Sequence, residues 1–145
     1  MALIENRIVI ERSLTDVFQK TTDFESYEEW QPGLNSVNVT SGKPIRAGTI
    51  LTFRRQFMGG EIFVNADVID FQRNKRYELK GIHGRFQFTR AVEFTPGGRE
   101  TTIYDRMNLR IPWFYFWYTP FVTSALKSRL SREWDNLKTL LESQS

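Results

Sequence analysis

Ile4, Ile8 and Ile10 alternate with Glu5, Arg7 and Glu11, the period-two pattern of a strand with one buried face. Ser13-Leu14-Thr15-Asp16 follows as a capping box that opens a short helix through Val17 and Phe18. Asp23 is placed to cap a second helix carrying Phe24, Tyr27 and Trp30, which Pro32-Gly33 ends. Six runs with strand character come next: Leu34 to Ser41, Thr49 to Phe57, Glu61 to Phe71, Arg76 to Ile82, Arg85 to Thr95, and Glu100 to Ile111. Gly59-Gly60, Arg73-Asn74, His83-Gly84 and Gly97-Gly98 fall where tight hairpins would turn, so the order is a meander. Thr119 as N-cap and Pro120 at the first helical position then open a long helix. Its Val122, Leu126, Leu130, Trp134, Leu137 and Leu141 recur in threes and fours.

This order predicts an α+β helix-grip fold: a seven-stranded antiparallel curved sheet around a long C-terminal helix, with two short helices after strand 1, in one domain over residues 1–145. The layout resembles the START-like, or SRPBCC, superfamily, which includes the birch-pollen allergen family and lipid-transfer domains, and it looks most like the polyketide cyclase/dehydrase branch. The residues that carry the resemblance are Val17-Phe18, the stretch Asp23-Phe24-Glu25-Ser26-Tyr27-Glu28-Glu29-Trp30-Gln31-Pro32-Gly33, Ala47-Gly48-Thr49, Thr95-Pro96-Gly97-Gly98, and Leu137-Lys138-Thr139-Leu140-Leu141-Glu142. They are marks of the fold more than of catalysis, since one scaffold hosts binding proteins, transfer proteins and enzymes. The resemblance implies three functions: binding of a small hydrophobic, lipid-like or polyketide-like ligand; a cyclase- or dehydratase-like reaction in which Arg90 and Tyr77 polarise a carbonyl while Asp105 accepts a proton; or a quinone-type lipid chaperone at a membrane.

Setting the hairpin tips at the four turns assigns each strand residue to a face. Val92 then faces Ile103, Arg90 faces Asp105, Phe88 faces Met107 and Phe86 faces Leu109. Leu79 stands opposite Phe88 and Val68, and Tyr77 opposite Arg90 and Asp70. The helix-facing side is apolar through Leu51, Phe53, Phe57, Leu79, Phe86, Phe88 and Met107. It is interrupted by Arg55 and by a transverse row of Asp70, Tyr77, Arg90 and Asp105. Desolvating such charges costs several kcal/mol per ion, which makes Arg90, Asp105 and Tyr77 candidate ligand anchors. The competing reading puts the row near an open sheet edge, where the guanidinium reaches water and the pair only pins the hairpins.

Seven of the eleven residues from Ile111 to Phe121 are aromatic and none is charged. The run suits the wall of an internal cavity between sheet and helix, bounded by Trp113, Phe121 and Ala125 with Phe53, Leu79, Phe86, Phe88 and Met107. Core filling, a second subunit, or a membrane surface remain as alternatives, since Trp and Tyr have polar edges that suit a lipid interface. Trp30 either lines the cavity mouth or caps the core. Lys127, Arg129, Arg132 and Lys138 read as a solvated helix face, and His83 as a turn residue.

Composition removes other classes. With 145 residues, no cysteine and one histidine, no ordinary zinc site can be assembled, and no cofactor or metal is expected. No phosphate-binding glycine motif and no nucleophile elbow occur. A net charge of +3 from scattered Lys and Arg gives no nucleic-acid footprint, though it is compatible with an anionic membrane. The N-terminus lacks a secretion-signal pattern, so the cytoplasm is the expected location. Ligand identity and oligomeric state are not encoded in any of these features.

Overall fold

The computed structural model describes residues 2–40 and 45–144; Ser41, the last residue of one expected strand, lies outside them. Strand β1 (Ala2–Ile10) leads into helix α1 (Leu14–Thr22) and a 3-10 helix over Phe24–Glu29. Strands β2 (Leu34–Val39), β3 (Ile50–Phe57), β4 (Gly60–Gln72), β5 (Arg76–His83), β6 (Phe86–Gly97) and β7 (Glu100–Arg110) then run in a meander. A 3-10 turn at Trp113–Tyr115 precedes helix α2 (Thr119–Glu142). All neighbours are antiparallel in the order β1-β7-β6-β5-β4-β3-β2, and the sheet curves round α2 in the expected helix-grip arrangement.

Local chemistry sets the boundaries. The Ser13 side chain accepts a hydrogen bond from the Asp16 amide at 3.3 Å, satisfying one of the free donors at the start of α1. The second short element is 3-10 rather than α, and the Asp23 side chain makes no cap bond. Helix α2 begins one residue early: Thr119 is already helical, and its hydroxyl donates to the Tyr115 carbonyl at 3.1 Å.

The tips of the β5–β6 and β6–β7 hairpins sit one residue away from their expected places. His83 pairs with Phe86 and Gly97 with Glu100, so the two-residue loops are Gly84-Arg85 and Gly98-Arg99. Gly84 (φ 65°) and Gly98 (φ 70°) occupy the first loop position, where the tight turns favoured in hairpins need positive φ. Moving a tip by one residue shifts the pairing by two and leaves every residue on its face. Arg90 therefore stands opposite Met107, and Asp105 opposite Val92.

One expectation about the sheet faces fails. A bulge between Val68 and Asp70 reverses the facing of β4, so Phe71 lies opposite Tyr77 and Asp70 turns outward to Gln72 and Arg76. Asp70 is not part of the inner row. The apolar stripe of α2, Val122, Leu126, Leu130, Trp134, Leu137 and Leu141, is buried against the inner sheet residues. Val17, Phe18, Phe24 and Tyr27 close one end of that core.

Candidate functional site

Two linked clusters of polar side chains lie between the sheet and the middle of α2. In the first, Arg90 from β6 clamps Asp105 of β7 with both arms, Nε to Oδ1 at 2.8 Å and NH2 to Oδ2 at 2.7 Å. The Trp134 indole of α2 donates to the same Oδ2 at 2.8 Å, and the Arg90 guanidinium lies 5.7 Å from the Trp134 ring centre. The pair is a diagonal one across the ladder, within reach of a side chain as long as arginine. In the second cluster Arg55 of β3 donates to Glu133 of α2 at 2.9 Å and to the Gln31 amide oxygen at 2.6 Å. Arg129, one turn before Glu133, contacts that carboxylate at 3.4 Å and sets NH1 3.0 Å from His83 Nε2. Since Arg129 can only donate, this Nε2 is the acceptor.

These groups are electrostatically distinctive. Three guanidiniums, Arg55, Arg90 and Arg129, face two carboxylates, Asp105 and Glu133, leaving one positive charge in excess. Burial, then the charges of Arg129 and Arg55, hold the His83 pKa well below its usual range, so the ring is neutral. Burial also lowers Arg129, to about 9, with the like charge of Arg55 adding to the effect. Burial works against the Arg90 charge as well, but Asp105 outweighs it and the Arg90 pKa is raised. Tyr77 is pushed up to about 12 chiefly by burial. Buried Arg55 Nε and Trp30 Nε1 have no hydrogen-bond partner.

The neutral histidine has a measurable consequence. Unfolded His83 takes up a proton near 6.5 while the folded form stays neutral, so stability should fall as pH drops from 6.5 towards the depressed folded value. The slope is at most about 1.4 kcal/mol per pH unit. Because His83 is the only histidine, urea midpoints between pH 7 and pH 5 should decline for the parent and stay nearly flat for His83→Gln; parallel declines would refute a neutral buried ring.

The space enclosed by Tyr27, Phe53, Arg55, His83, Arg90 and Arg129 is only about 30 Å³, room for about one water molecule. The large apolar cavity anticipated from the sequence is thus largely filled, because the long arms of the arginines reach into it. A groove of about 630 Å³ opens beside it, between the β3–β4 hairpin, the β5–β6 turn and the start of α2. Phe57, Ile62, Phe63, Phe86, Tyr115 and Val122 give it apolar walls, and His83 lies at its base. His83 therefore borders both the groove and the inner space. A still larger trough, about 790 Å³, lies on the outer face of the sheet over Ile69, Lys80, Ile82 and Gln87, away from α2 and the buried charges.

Residues 1–142 match the profile of the family described as polyketide cyclase / dehydrase and lipid transport. The chain belongs to this family. Solved structures agree on the fold. A START superfamily protein from Mycobacterium smegmatis is 15% identical, with a TM-score of 0.79 over 99% of each chain. TTHA0849 from Thermus thermophilus is 16% identical, with a TM-score of 0.84 over 99% of this chain and 100% of its own. The Zhui aromatase/cyclase from Streptomyces sp. R1128 is 6% identical, with a TM-score of 0.79 over 97% and 93%. No curated protein matches the chain in sequence.

Within this family scaffold, the expected site residues do not stay together. Arg55, Arg90, Phe53, Leu79, Phe88 and Met107 border the inner space, while Asp105 and Tyr77 are buried behind it. Phe86 lies in the groove, and Trp30 is buried against Trp134 with ring centres 5.6 Å apart, capping the core rather than forming a mouth. Trp113 is 83% exposed and Phe121 63% exposed, so neither walls a cavity; Trp113 stands on the short 3-10 turn and Phe121 in the first turn of α2. Ala125 is half-buried on α2 and borders neither space. Asp105 has both oxygens engaged by Arg90 and Trp134, which leaves it poorly placed to accept a proton. Arg129, Glu133, Gln31 and His83 are not among the site residues that the sequence pattern selects. That pattern assigns Arg129 to solvent and His83 to a turn, whereas both point inward. Among the described residues no group of three or more His, Cys, Asp or Glu is arranged to hold a metal, and no helix is long and apolar enough to cross a membrane.

Proposed function

We propose that this protein binds an amphipathic hydrophobic molecule, with its apolar body in the groove and a carbonyl or carboxylate end directed at His83 and Arg129. The observation that carries this reading is the position of His83, at the base of an apolar groove and against a guanidinium in a cluster with surplus positive charge. An apolar body gains by leaving water along Phe86 and Tyr115. An oxygen-bearing end supplies the acceptor that a buried, donor-rich cluster can use. The fold and family support ligand binding, and the neighbouring donors narrow its chemistry.

Fluorescence titration with 2-naphthoate and its neutral methyl ester tests the proposal. Tyr115→Ala should weaken both probes, whereas Arg129→Met should weaken the anion by about tenfold, or about 1.4 kcal/mol, and leave the ester nearly unchanged. Equal effects of Arg129→Met on the two probes would contradict the assigned orientation.

A further inference from the structure

We infer that the turn from Trp113 to Phe121 is a membrane-docking element that seats the mouth of the groove on an anionic lipid bilayer. Trp113 (83% exposed), Phe116 (74%), Phe121, Trp117 and Phe114 all stand out from the protein. Trp113 packs against Phe114 at 5.8 Å and Trp117 against Tyr118 at 5.5 Å, and none of the five is among the side chains packed on the core. Such a cluster of exposed aromatic side chains marks an interaction surface. Met58, itself exposed at the tip of the β3–β4 hairpin, joins this rim, since the Tyr118 hydroxyl lies 3.7 Å from its sulfur.

Charge and shape identify the partner. No residue from Ile111 to Phe121 is charged, and two cations flank the turn. Arg110 ends β7 immediately before it, and among the described residues no carboxylate pairs with it. Arg85 donates to the Tyr115 hydroxyl at 3.2 Å and likewise has no carboxylate partner. Protruding aromatic rings bordered by unneutralised arginines fit lipid headgroups over acyl chains, where a fluid layer needs no matching shape. A second copy docked on the same face would bring the same arginines together, which like-charge repulsion opposes. Tyr115, Trp117 and Tyr118 border the groove, so an apolar molecule could pass from the bilayer into it with little exposure to water.

Vesicle flotation at low salt, with phosphatidylcholine alone and with added phosphatidylglycerol, is the test. The parent should float with the anionic vesicles and dissociate in high salt, and brominated lipid should quench its tryptophan fluorescence. The double variant Trp113→Ser/Phe116→Ser should bind at least about tenfold more weakly, with an unchanged melting curve and unchanged 2-naphthoate binding, because neither side chain borders the groove. Absence of quenching for the parent would overturn the inference, as would vesicle binding indifferent to the double substitution. A parent dimer that the same substitutions convert to monomer would assign the turn to self-association instead.

Discussion

Asp105→Ala and Arg90→Met should each lower the folding free energy by about 3 to 5 kcal/mol, because each leaves a buried charge without its partner. The carboxylate is 1% exposed and accepts two bonds from Arg90 and one from Trp134. Its removal leaves a desolvated guanidinium and a buried indole N–H without acceptors. Methionine at position 90 fills similar volume but leaves the deeply buried Asp105 carboxylate with the Trp134 donor alone. Urea unfolding of the two variants measures both losses. Small losses in both would mean a solvent-screened pair worth under about 1 kcal/mol.

Gly81→Ala should cost at least about 3 kcal/mol and also weaken binding in the groove. Gly81 sits in β5 opposite Ala66 and Phe88. A Cβ there would lie 1.8 Å from the Asn65 carbonyl oxygen and 2.7 Å from the Ala66 Cα. Both obstacles are backbone, so β4 and β5 would have to separate, and a side-chain rotation cannot relieve the clash. His83 lies two residues further along the same strand and face. Displacing β5 should therefore loosen its contact with Arg129. A variant within about 0.5 kcal/mol of the parent, the range of an ordinary surface substitution, would show that the strands do not approach this closely.

The sheet and its faces are legible in the sequence because side-chain alternation survives an error in turn placement. Fixing the tip at His83-Gly84 instead of Gly84-Arg85 moves every β5–β6 pair by two, yet Leu79, Phe88 and Arg90 stay on the inner side. The same error conceals His83, since it makes the last inward residue of a strand look like part of a loop. Alternation misplaces Asp70 because a bulge adds one residue to β4, and no residue near Ile69 signals it. Arg129 and Glu133 escape a helix stripe drawn through apolar residues alone. Glu133 falls three residues after Leu130 and four before Leu137, on the buried face, so the spacing contains that signal. The aromatic run gives none, because a continuous apolar stretch has no period that distinguishes an inward face from an outward one.

The proposed ligand orientation is tested most directly by nuclear magnetic resonance of the protein titrated with 2-naphthoate, following the His83 imidazole nitrogens and the Val122 methyls. Saturable shifts at both, with intermolecular contacts from the naphthalene ring to Phe86 and Tyr115 and the largest imidazole change at Nε2, are the predicted result. Shifts confined to the outer face of the sheet around Ile69 and Ile82, with His83 unmoved, would contradict the assignment of the groove as the binding site.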